Sequence, residues 1–152
     1  MSETRLWIDA DACPKAVKEI IYKSSSRLNF EVILVANAYQ SVPPSPLIKL
    51  VKVDLGADVA DHYIIEHCKS SDIVITADIP LASHIVKKGA LALNPRGEVY
   101  DEENIGERLA VRDLMKDLRD SGEVMGGPPP YGPKDKANFA NSFNKLITQK
   151  MK

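Results

Sequence analysis

Acidic side chains follow two short apolar runs of the sequence, at positions where they could act together on a phosphate or a metal ion. Asp9 and Asp11 come directly after the run at 6–8, and Asp78 comes shortly after the run at 73–76. If both runs are parallel strands, their carboxyl ends meet at the edge of the sheet where ligands of open α/β sheets bind. Side chains alternate along an extended chain, so an extended conformation through Asp11 would turn its carboxylate the same way as that of Asp9. The spacing therefore predicts a group of carboxylates at one edge of a sheet.

A helical segment supplies two further acids. Asp58 and Asp61 are three residues apart in the segment 57–68, which places them on one helical face. Carboxylates gathered at one edge repel each other unless they are solvated, hydrogen-bonded or neutralised by a cation. Mg²⁺ and Mn²⁺ prefer such oxygen ligands, and two ions about 3.5–4 Å apart would clamp the attacking and leaving oxygens of a phosphodiester. The candidate catalytic residues are Asp9, Asp11, Asp61 and Asp78, of which Asp9, Asp11 and Asp78 are the candidate metal ligands.

The same acids also have a purely structural interpretation as helix caps. Aspartate is a common N-cap because its carboxylate accepts hydrogen bonds from the free N–H groups of the first turn. In this interpretation Asp9 and Asp11 cap a helix that begins at Pro14. Asp78 caps the helix that follows it, and Asp58 caps its own helix. Several acids converging on one edge favour the functional interpretation, and both stay open at the level of sequence.

Four further residues are candidates for substrate binding. Thr76 and Asn94 stand at or just after the ends of predicted strands, and Arg96 follows in the turn-like sequence N-P-R-G. The planar fork of an arginine suits the oxygens of a phosphate. Arg112 lies four residues after Arg108 on a predicted helix, so the two can extend a phosphate-binding patch. The alternatives are a simple turn after the strand and solvent-exposed ion pairs with neighbouring acids.

The composition is that of an ordinary globular protein. The 152 residues carry 20 Lys and Arg against 21 Asp and Glu, and 44% of them are hydrophobic. This balance excludes disorder of the whole chain and a uniformly basic nucleic-acid-binding surface, but it allows a local basic patch. No apolar stretch approaches the ~18–20 residues of a membrane helix, and no signal sequence is recognisable. We therefore expect a cytoplasmic protein with no membrane partner, whose oligomeric state stays open, a homodimer being one option.

The cysteines and histidines offer little chemistry of their own. Cys13 and Cys68 are too few for a disulfide framework and lack the spacing of a zinc site. Cys13 precedes a predicted helix start, where a thiol pKa can be lowered, but no histidine is near it in sequence, and we reject it as a nucleophile. The three histidines show no metal-ligand spacing.

Strand-length apolar runs alternate with longer segments of helical period, which is typical of βαβ units and a parallel sheet. We predict strands at 6–8, 30–36, 48–53, 73–76 and 90–93, and helices beginning at Pro14 and spanning 57–68, 80–88, 105–121 and 136–149. A serine run at 24–26 is expected to end the first helix. The run GGPPPYGP at 126–133 predicts a stiff connector before a C-terminal helix. The sequence thus predicts a single domain over 1–152, a three-layer α/β/α sandwich with a mostly parallel sheet of about five strands.

Six sequence motifs distributed over the chain carry a family resemblance. They are DADACP at 9–14, VDLGADVAD at 53–61, TADIPLA at 76–82, ALNPRG at 92–97, RLAVRDLM at 108–115 and GGPPP at 126–130. Together they resemble the uncharacterised bacterial YaiI/YqxD family over essentially the whole chain, and that family is considered similar to PIN-like nuclease domains. The resemblance implies a PIN-like fold and the hydrolysis of RNA or structured DNA, with Mg²⁺ or Mn²⁺ held by aspartates at the sheet edge.

The resemblance also implies roles for individual acids. Asp9 matches the acid that ends the first strand of a PIN-like domain, and Asp78 matches the acid after the fourth. Asp61, or alternatively Asp58, matches the acid on the intervening helix. PIN-like domains usually add an acid shortly after the position of Asp78, where this chain has apolar residues, and Asp11 is the candidate replacement.

Three functions remain open from the sequence. The leading one is a metal-dependent phosphodiesterase acting on RNA, in which a carboxylate-bound ion activates a water molecule. The second is a phosphatase, because W-I-D-A-D-A resembles the strand and D-x-D motif of haloacid-dehalogenase-like enzymes, with Asp9 as nucleophile and Asp11 as acid–base group. The third is a module that holds RNA, a nucleotide or a protein without turnover.

Overall fold

The central sheet is built from short runs of β-branched and other apolar residues. In a computed structural model that describes residues 4–56, 58–123 and 129–150, the strands are β1 (Arg5–Asp9), β2 (Glu31–Ala36), β3 (Ile48–Lys52), β4 (Ile73–Ile75), β5 (Leu91–Leu93) and β6 (Val99–Tyr100). Their order is β3-β2-β1-β4-β5-β6, in which β1 to β5 pair in parallel and β6 pairs antiparallel with β5. The mostly parallel sheet is confirmed. The described residues form six strands rather than the expected five, because β6 has only two residues, too few to show a periodicity.

In the described part of the chain, five helices and one short turn connect and follow the strands. A 3₁₀ turn at Ala10–Ala12 precedes α1 (Lys15–Leu28), and then come α2 (Val59–His67), α3 (Ile79–Lys87), α4 (Ile105–Asp120) and α5 (Pro133–Lys150). None of the helices in the described part of the chain combines the length and apolarity needed to cross a bilayer. Residues 126–128 of the predicted connector lie outside the described residues, and residues 129–132 form neither helix nor strand.

The helices cover both faces of the sheet. On one face, Phe139 and Phe143 of α5 share a hydrophobic core with Leu6 of β1 and with residues of α1. On the other face, Trp7 of β1 belongs to a second core together with Ile64 of α2 and residues of α3 and α4. Adjacent side chains of one strand therefore point into different cores, as the alternation of a strand requires. The predicted three-layer α/β/α architecture is confirmed.

The first helix runs through the serines that were expected to end it, and that prediction is wrong. Ser25 is buried, and its hydroxyl donates a 2.6 Å hydrogen bond to the carbonyl of Phe30, which explains how a polar residue is accommodated there. The helix ends instead at Asn29, whose left-handed backbone (φ 66°) lets its N–H reach the carbonyl of Ser25. The helix is thus one turn longer than predicted.

The apolar face of α4 is less covered than its spacing predicted. Ile105 is the only residue of this helix that is buried, whereas Val111 and Leu114 are 46% and 57% exposed. The helix packs mainly on α3. Its middle therefore keeps accessible apolar surface.

The strand order reverses at β1, and this reversal positions the site. β2 and β3 lie on one side of β1, whereas the chain crosses back to place β4 and β5 on the other side. The carboxyl ends of β1 and β4 consequently lie next to each other, with their connecting segments diverging. In open α/β sheets such a switch point is where ligands bind.

Candidate functional site

Asp9 and Asp78 are joined across the switch point by Thr76. Asp9 is the last residue of β1, and its Oδ2 accepts a hydrogen bond of 2.9 Å from the hydroxyl of Thr76. The same hydroxyl oxygen accepts a 3.0 Å hydrogen bond from the backbone N–H of Asp78. Thr76 itself is only 2% exposed. Thr76 was predicted to bind substrate; in the structure it is buried and its hydroxyl hydrogen-bonds to Asp9 and to the backbone of Asp78.

Asp78 is also the N-cap of α3. Its Oδ1 accepts a hydrogen bond of 2.9 Å from the N–H of Leu81 in the first turn. The structural interpretation offered for this acid is thus confirmed, and it is compatible with a second role, because a carboxylate has several acceptor positions. The cap fixes the side chain in one orientation at the edge of the crevice.

Asp61, on α2, completes a group of three carboxylates that we call the acid cluster (Asp9, Asp61 and Asp78). The side chain of Asp61 lies within hydrogen-bonding distance of Asp78. Burial, the negative charges of Asp78, Asp9 and Asp58, and this hydrogen bond raise the pKa of Asp61 to about 7. At neutral pH Asp61 therefore holds a proton for part of the time, unlike an ordinary aspartate.

Asp9 shows the same crowding of negative charge. Burial raises its pKa above the usual value; the hydrogen bond from Thr76 opposes this shift, and the charges of Asp78 and Asp11 add to it. The negative charges of the acid cluster therefore repel each other and are not fully compensated. Close carboxylates resolve such repulsion by sharing a proton or by binding a cation.

Asp11 is placed differently from the prediction. The extended conformation ends at Asp9, and Asp11 lies in the 3₁₀ turn, so the expected alternation with Asp9 is wrong. Its Oδ2 accepts a 2.7 Å hydrogen bond from the N–H of Asn37, and its Oδ1 accepts one of 3.3 Å from Gln40. Asp11 is exposed at the rim, yet close enough for its charge to raise the pKa of Asp9.

The other proposed caps are not formed. The N-cap of α1 is Pro14, so neither Asp9 nor Asp11 caps that helix. Asp58 stands at the N-cap position of α2 with a left-handed backbone (φ 66°) but makes no capping hydrogen bond through its side chain. The cap interpretation is therefore wrong for these three acids, because the 3₁₀ turn separates Asp9 from α1, Pro14 takes the N-cap position, and Asp58 makes no capping hydrogen bond.

Among the described residues, two clefts flank the acid cluster. One, of about 290 Å³, lies between α2 and α3 and is lined by Asp61, His62 and His84 among others. The other, of about 520 Å³, lies between α4 and the turn after β5. Ala77 and Ile79, on either side of Asp78, line the second cleft, so this cleft opens directly beside the acid cluster. We call it the arginine cleft, because its lining includes Arg96, Arg108, Arg112 and Arg119.

Asn94 and Arg96 line this cleft but are heavily engaged within the protein. The side-chain oxygen of Asn94 accepts hydrogen bonds of 2.9 Å from the N–H of Arg96 and 3.0 Å from that of Glu98. The guanidinium of Arg96 donates at 3.0 Å to Asp135 of α5 and at 2.6 Å to the carbonyl of Pro129. The N-P-R-G turn therefore holds the start of the C-terminal helix, a role that its sequence did not reveal.

Arg108 and Arg112 project from α4 into the same cleft. Arg108 forms an ion pair with Glu98, and Arg112 pairs at 3.0 Å with its neighbour Asp113, which is largely exposed. Arg119 also lines the cleft, and within the described ranges no acidic side chain pairs with it. Sequence reasoning missed Arg119, although its spacing of seven residues from Arg112 places both on one helical face.

Burial also affects Cys13 and Asp72, which do not belong to the acid cluster. Burial raises the pKa of the Cys13 thiol to about 12, which fits its rejection as a nucleophile. Asp72, which no motif singled out, is completely buried at the opposite end of β4. It accepts hydrogen bonds from Arg5, from the indole of Trp7 at 3.0 Å and from the N–H of Lys69 at 2.8 Å. It is a structural acid whose charge is fully compensated, in contrast to the acid cluster.

Fold and site together define an α/β protein with a mostly parallel open sheet and a group of carboxylates at its switch point. The chain belongs to the YaiI/YqxD family, because the family model described as "Uncharacterized BCR, YaiI/YqxD family" matches residues 7–149. This confirms the family predicted from the motifs.

Several relatives are similar over nearly their whole length. The UPF0178 protein of Maridesulfovibrio salexigens is 53% identical over 147 residues, covering 97% of each chain. Those of Shewanella sp. strain MR-7 and Trichlorobacter lovleyi are 50% and 52% identical over 149 and 147 residues, covering 98% of both chains in the first case and 97% and 96% in the second. No solved structure matches the chain.

Proposed function

We propose that this protein is a divalent-metal-dependent phosphodiesterase that cleaves RNA. The observation that carries the proposal is the convergence of Asp9, Asp61 and Asp78, from three different elements, at the switch point of the sheet. Their crowding raises the pKa of Asp61 to about 7. Perturbed titratable groups in a crevice are characteristic of functional sites, because a purely structural acid is normally compensated, as Asp72 is.

The donor set fits a hard divalent cation. The acid cluster offers only carboxylate oxygens, which Mg²⁺ and Mn²⁺ prefer over nitrogen or sulfur. The described residues contain no ready-made group of three His, Cys, Asp or Glu side chains around one point. The proposal needs none, since Mg²⁺ is commonly held by one or two carboxylates and completes its shell with water and substrate phosphate. Asp9 and Asp78 would hold the ion, with Asp61 beside them and Asp11 available at the rim.

The residues of the chain prepare the site for hydrolysis. When bound, Mg²⁺ or Mn²⁺ supplies an activated water and stabilises negative charge on the phosphate. Thr76 fixes the orientation of Asp9, and the first turn of α3 fixes Asp78, so both carboxylates are held before a ligand arrives. Asp61 lies within hydrogen-bonding distance of Asp78 and holds a proton for part of the time near neutral pH, so this proton leaves when Asp61 ionises. No side-chain nucleophile is required.

The proposal is tested by incubating Mn²⁺-loaded protein with end-labelled single-stranded and hairpin RNA. We expect cleavage that EDTA abolishes and that Asp9→Asn reduces by more than about 100-fold, since even outer partners of metal ligands are worth 10–100-fold. The matched control is Glu66→Gln, which removes one negative charge from the exposed side of α2. Equal cleavage by wild-type protein and Asp9→Asn would contradict the proposal and attribute the activity to a contaminating nuclease.

The same preparations separate the other two functions predicted from the sequence. A beryllofluoride adduct on Asp9 together with absent RNA cleavage would replace the proposal by the phosphatase. Absence of Mn²⁺ binding at millimolar concentration, measured by titration calorimetry, would replace it by a binding module without turnover.

A further inference from the structure

The arginine cleft carries charge that the proposed chemistry does not use. Arg108, Arg112, Met115 and Arg119 line it at spacings of four, three and four residues. These spacings place them along one face of α4. At 1.5 Å per residue the three arginines span about 16 Å of the helix axis. The cleft is therefore an elongated positive surface rather than a single anion pocket.

The positive charge of this surface is only partly compensated. Glu98 neutralises Arg108, whereas the partner of Arg112 is Asp113, which is exposed to solvent. Exposed pairs of this kind contribute little and exchange readily for another anion. With Arg119 unpaired among the described residues, Arg112 and Arg119 are the two guanidinium groups available to a ligand.

The wall between these arginines is apolar. Val111 is 46% exposed, and it lines the cleft together with Met115 and with Ile79 at the acid cluster. A volume of about 520 Å³ is in the range of pockets that enclose a small organic ligand. An apolar wall between phosphate-binding side chains suits the face of an unstacked base, and the bases of a duplex are stacked inside the helix and cannot reach it.

We propose that the arginine cleft binds a single-stranded segment of RNA, with phosphates on Arg112 and Arg119 and one base against Val111 and Met115. This inference rests on the proposed function, since it supplies the substrate class and the path by which a strand reaches the acid cluster. The positive cleft holds the flanking phosphates while the negative acid cluster is left for the ion and the phosphate that is cleaved. Binding of the strand and cleavage of the phosphodiester thus take place at two neighbouring surfaces of opposite charge.

The test measures binding without turnover. A fluorescein-labelled, unstructured ten-nucleotide RNA is titrated with protein in EDTA, and anisotropy is followed at several salt concentrations. Arg112→Gln with Arg119→Gln is expected to weaken binding on the order of tenfold and to lower the salt slope by about 1.4, the value for two phosphate contacts on a single strand. The matched control is Lys23→Gln with Arg27→Gln, which removes two exposed positive charges from α1 in the opposite layer.

A second variant tests the apolar wall. Val111→Asn changes an already exposed side chain, so the fold is kept, and we expect it to weaken binding of the single strand but not of a blunt duplex of the same length. Equal effects of the cleft and control charge variants would overturn the inference, and so would tighter binding of the duplex than of the single strand.

The two proposals fail separately. Loss of binding in the arginine variants without any Mn²⁺-dependent cleavage by wild-type protein would leave the cleft standing and remove the nuclease. If wild-type protein cleaves RNA, and the arginine variants bind and cleave RNA as well as wild type does, the nuclease proposal stands and the proposal for the cleft is overturned.

Discussion

The hydroxyl of Thr76 donates a 2.9 Å hydrogen bond to Oδ2 of Asp9, linking the ends of two parallel strands that meet where the sheet reverses its order. Because Thr76 also accepts from the N–H of Asp78, a single hydroxyl holds two of the three acids of the acid cluster. In this arrangement the hydroxyl proton of Thr76 is directed to the carboxylate of Asp9. This hydrogen bond favours the ionised form of Asp9, the form that a cation needs, and so opposes the burial that raises the pKa of Asp9.

Replacing Thr76 tests this bias. Thr76→Val keeps the shape but removes the hydrogen bond that lowers the pKa of Asp9, so we expect that pKa to rise further. Mn²⁺ affinity, measured by calorimetry, should then fall more at pH 6 than at pH 8, because protons compete with the ion at the lower pH. Thr76→Ser keeps the hydroxyl and should bind as wild type. Equal losses at both pH values would show that Thr76 does not act through the protonation of Asp9.

Asp78 combines a structural and a proposed functional role, and two substitutions separate them. Asp78→Asn retains an oxygen that can accept from the N–H of Leu81, whereas Asp78→Ala removes the cap of α3. We expect Asp78→Ala to lower the free energy of unfolding by about 1 kcal/mol relative to Asp78→Asn. Both should lose Mn²⁺ binding. If Asp78→Asn still binds Mn²⁺, Asp78 acts only as the N-cap of α3.

The metal-free protein should be less stable at pH 8 than at pH 5. The pKa of Asp61 is about 7 in the fold against 3.8 for an ordinary aspartate, so between these values the unfolded chain has released a proton that the folded protein still holds. Stability contributed by this group is therefore complete below pH 3.8 and is lost as the pH rises through about 7. Because Asp61 is partly exposed, solvent screening reduces the effect to on the order of 1 kcal/mol.

Denaturant unfolding in EDTA across this pH range measures the effect. Asp61→Asn cannot ionise and should flatten the pH dependence, whereas Glu66→Gln should leave it as in wild type. Added Mn²⁺ should reverse the trend and stabilise the protein more at pH 8 than at pH 6, since protons on Asp61 compete with the ion at the lower pH. A wild-type protein that is equally stable at pH 5 and pH 8 would contradict the crowding of charge at Asp61.

Parts of the site were predictable from sequence because the geometry of a parallel sheet dictates them. Asp9 and Asp78 follow apolar strands, and the carboxyl ends of neighbouring parallel strands must lie side by side. Helical spacing placed Asp61 on one face of α2, but its approach to Asp78 depends on how α2 and α3 pack on the sheet, which spacing does not encode. Asp11 was misplaced because a 3₁₀ turn of A-D-A looks like the continuation of a strand.

Long-range contacts account for what the sequence hid. Arg96 looked free for a phosphate, yet Asp135, 39 residues further along, returns with α5 to pair with it. The burial of Asp72 depends on Arg5 and Trp7 of β1, which precede it by more than 60 residues. Local patterns identify strands, helices and a local cap such as that of Asp78, whereas the distant partners of Arg96 and Asp72 are set by tertiary packing that no local pattern contains.

Gly97 lies where the N-P-R-G turn meets α5. Its φ of +96° favours glycine, and a Cβ there would stand 2.6 Å from the carbonyl oxygen of Asn138. The carbonyl of Gly97 in turn accepts a 2.6 Å hydrogen bond from Ser142. We expect Gly97→Ala to cost at least about 1–2 kcal/mol from backbone strain alone, and to loosen α5 from the turn.

Amide hydrogen exchange measures that loosening residue by residue. Gly97→Ala should speed exchange in α5 while leaving β1 and β2 protected, because the clash lies at the helix and not in the sheet. The control is Gly106→Ala on α4, where the added Cβ meets no atom within 4 Å apart from its chain neighbours and the backbone of its own helix, and alanine should stabilise the helix by up to about 1 kcal/mol. Since the turn also forms one wall of the arginine cleft, distortion of the turn in Gly97→Ala should weaken RNA binding. Unchanged exchange in α5 would mean that the turn does not hold the C-terminal helix.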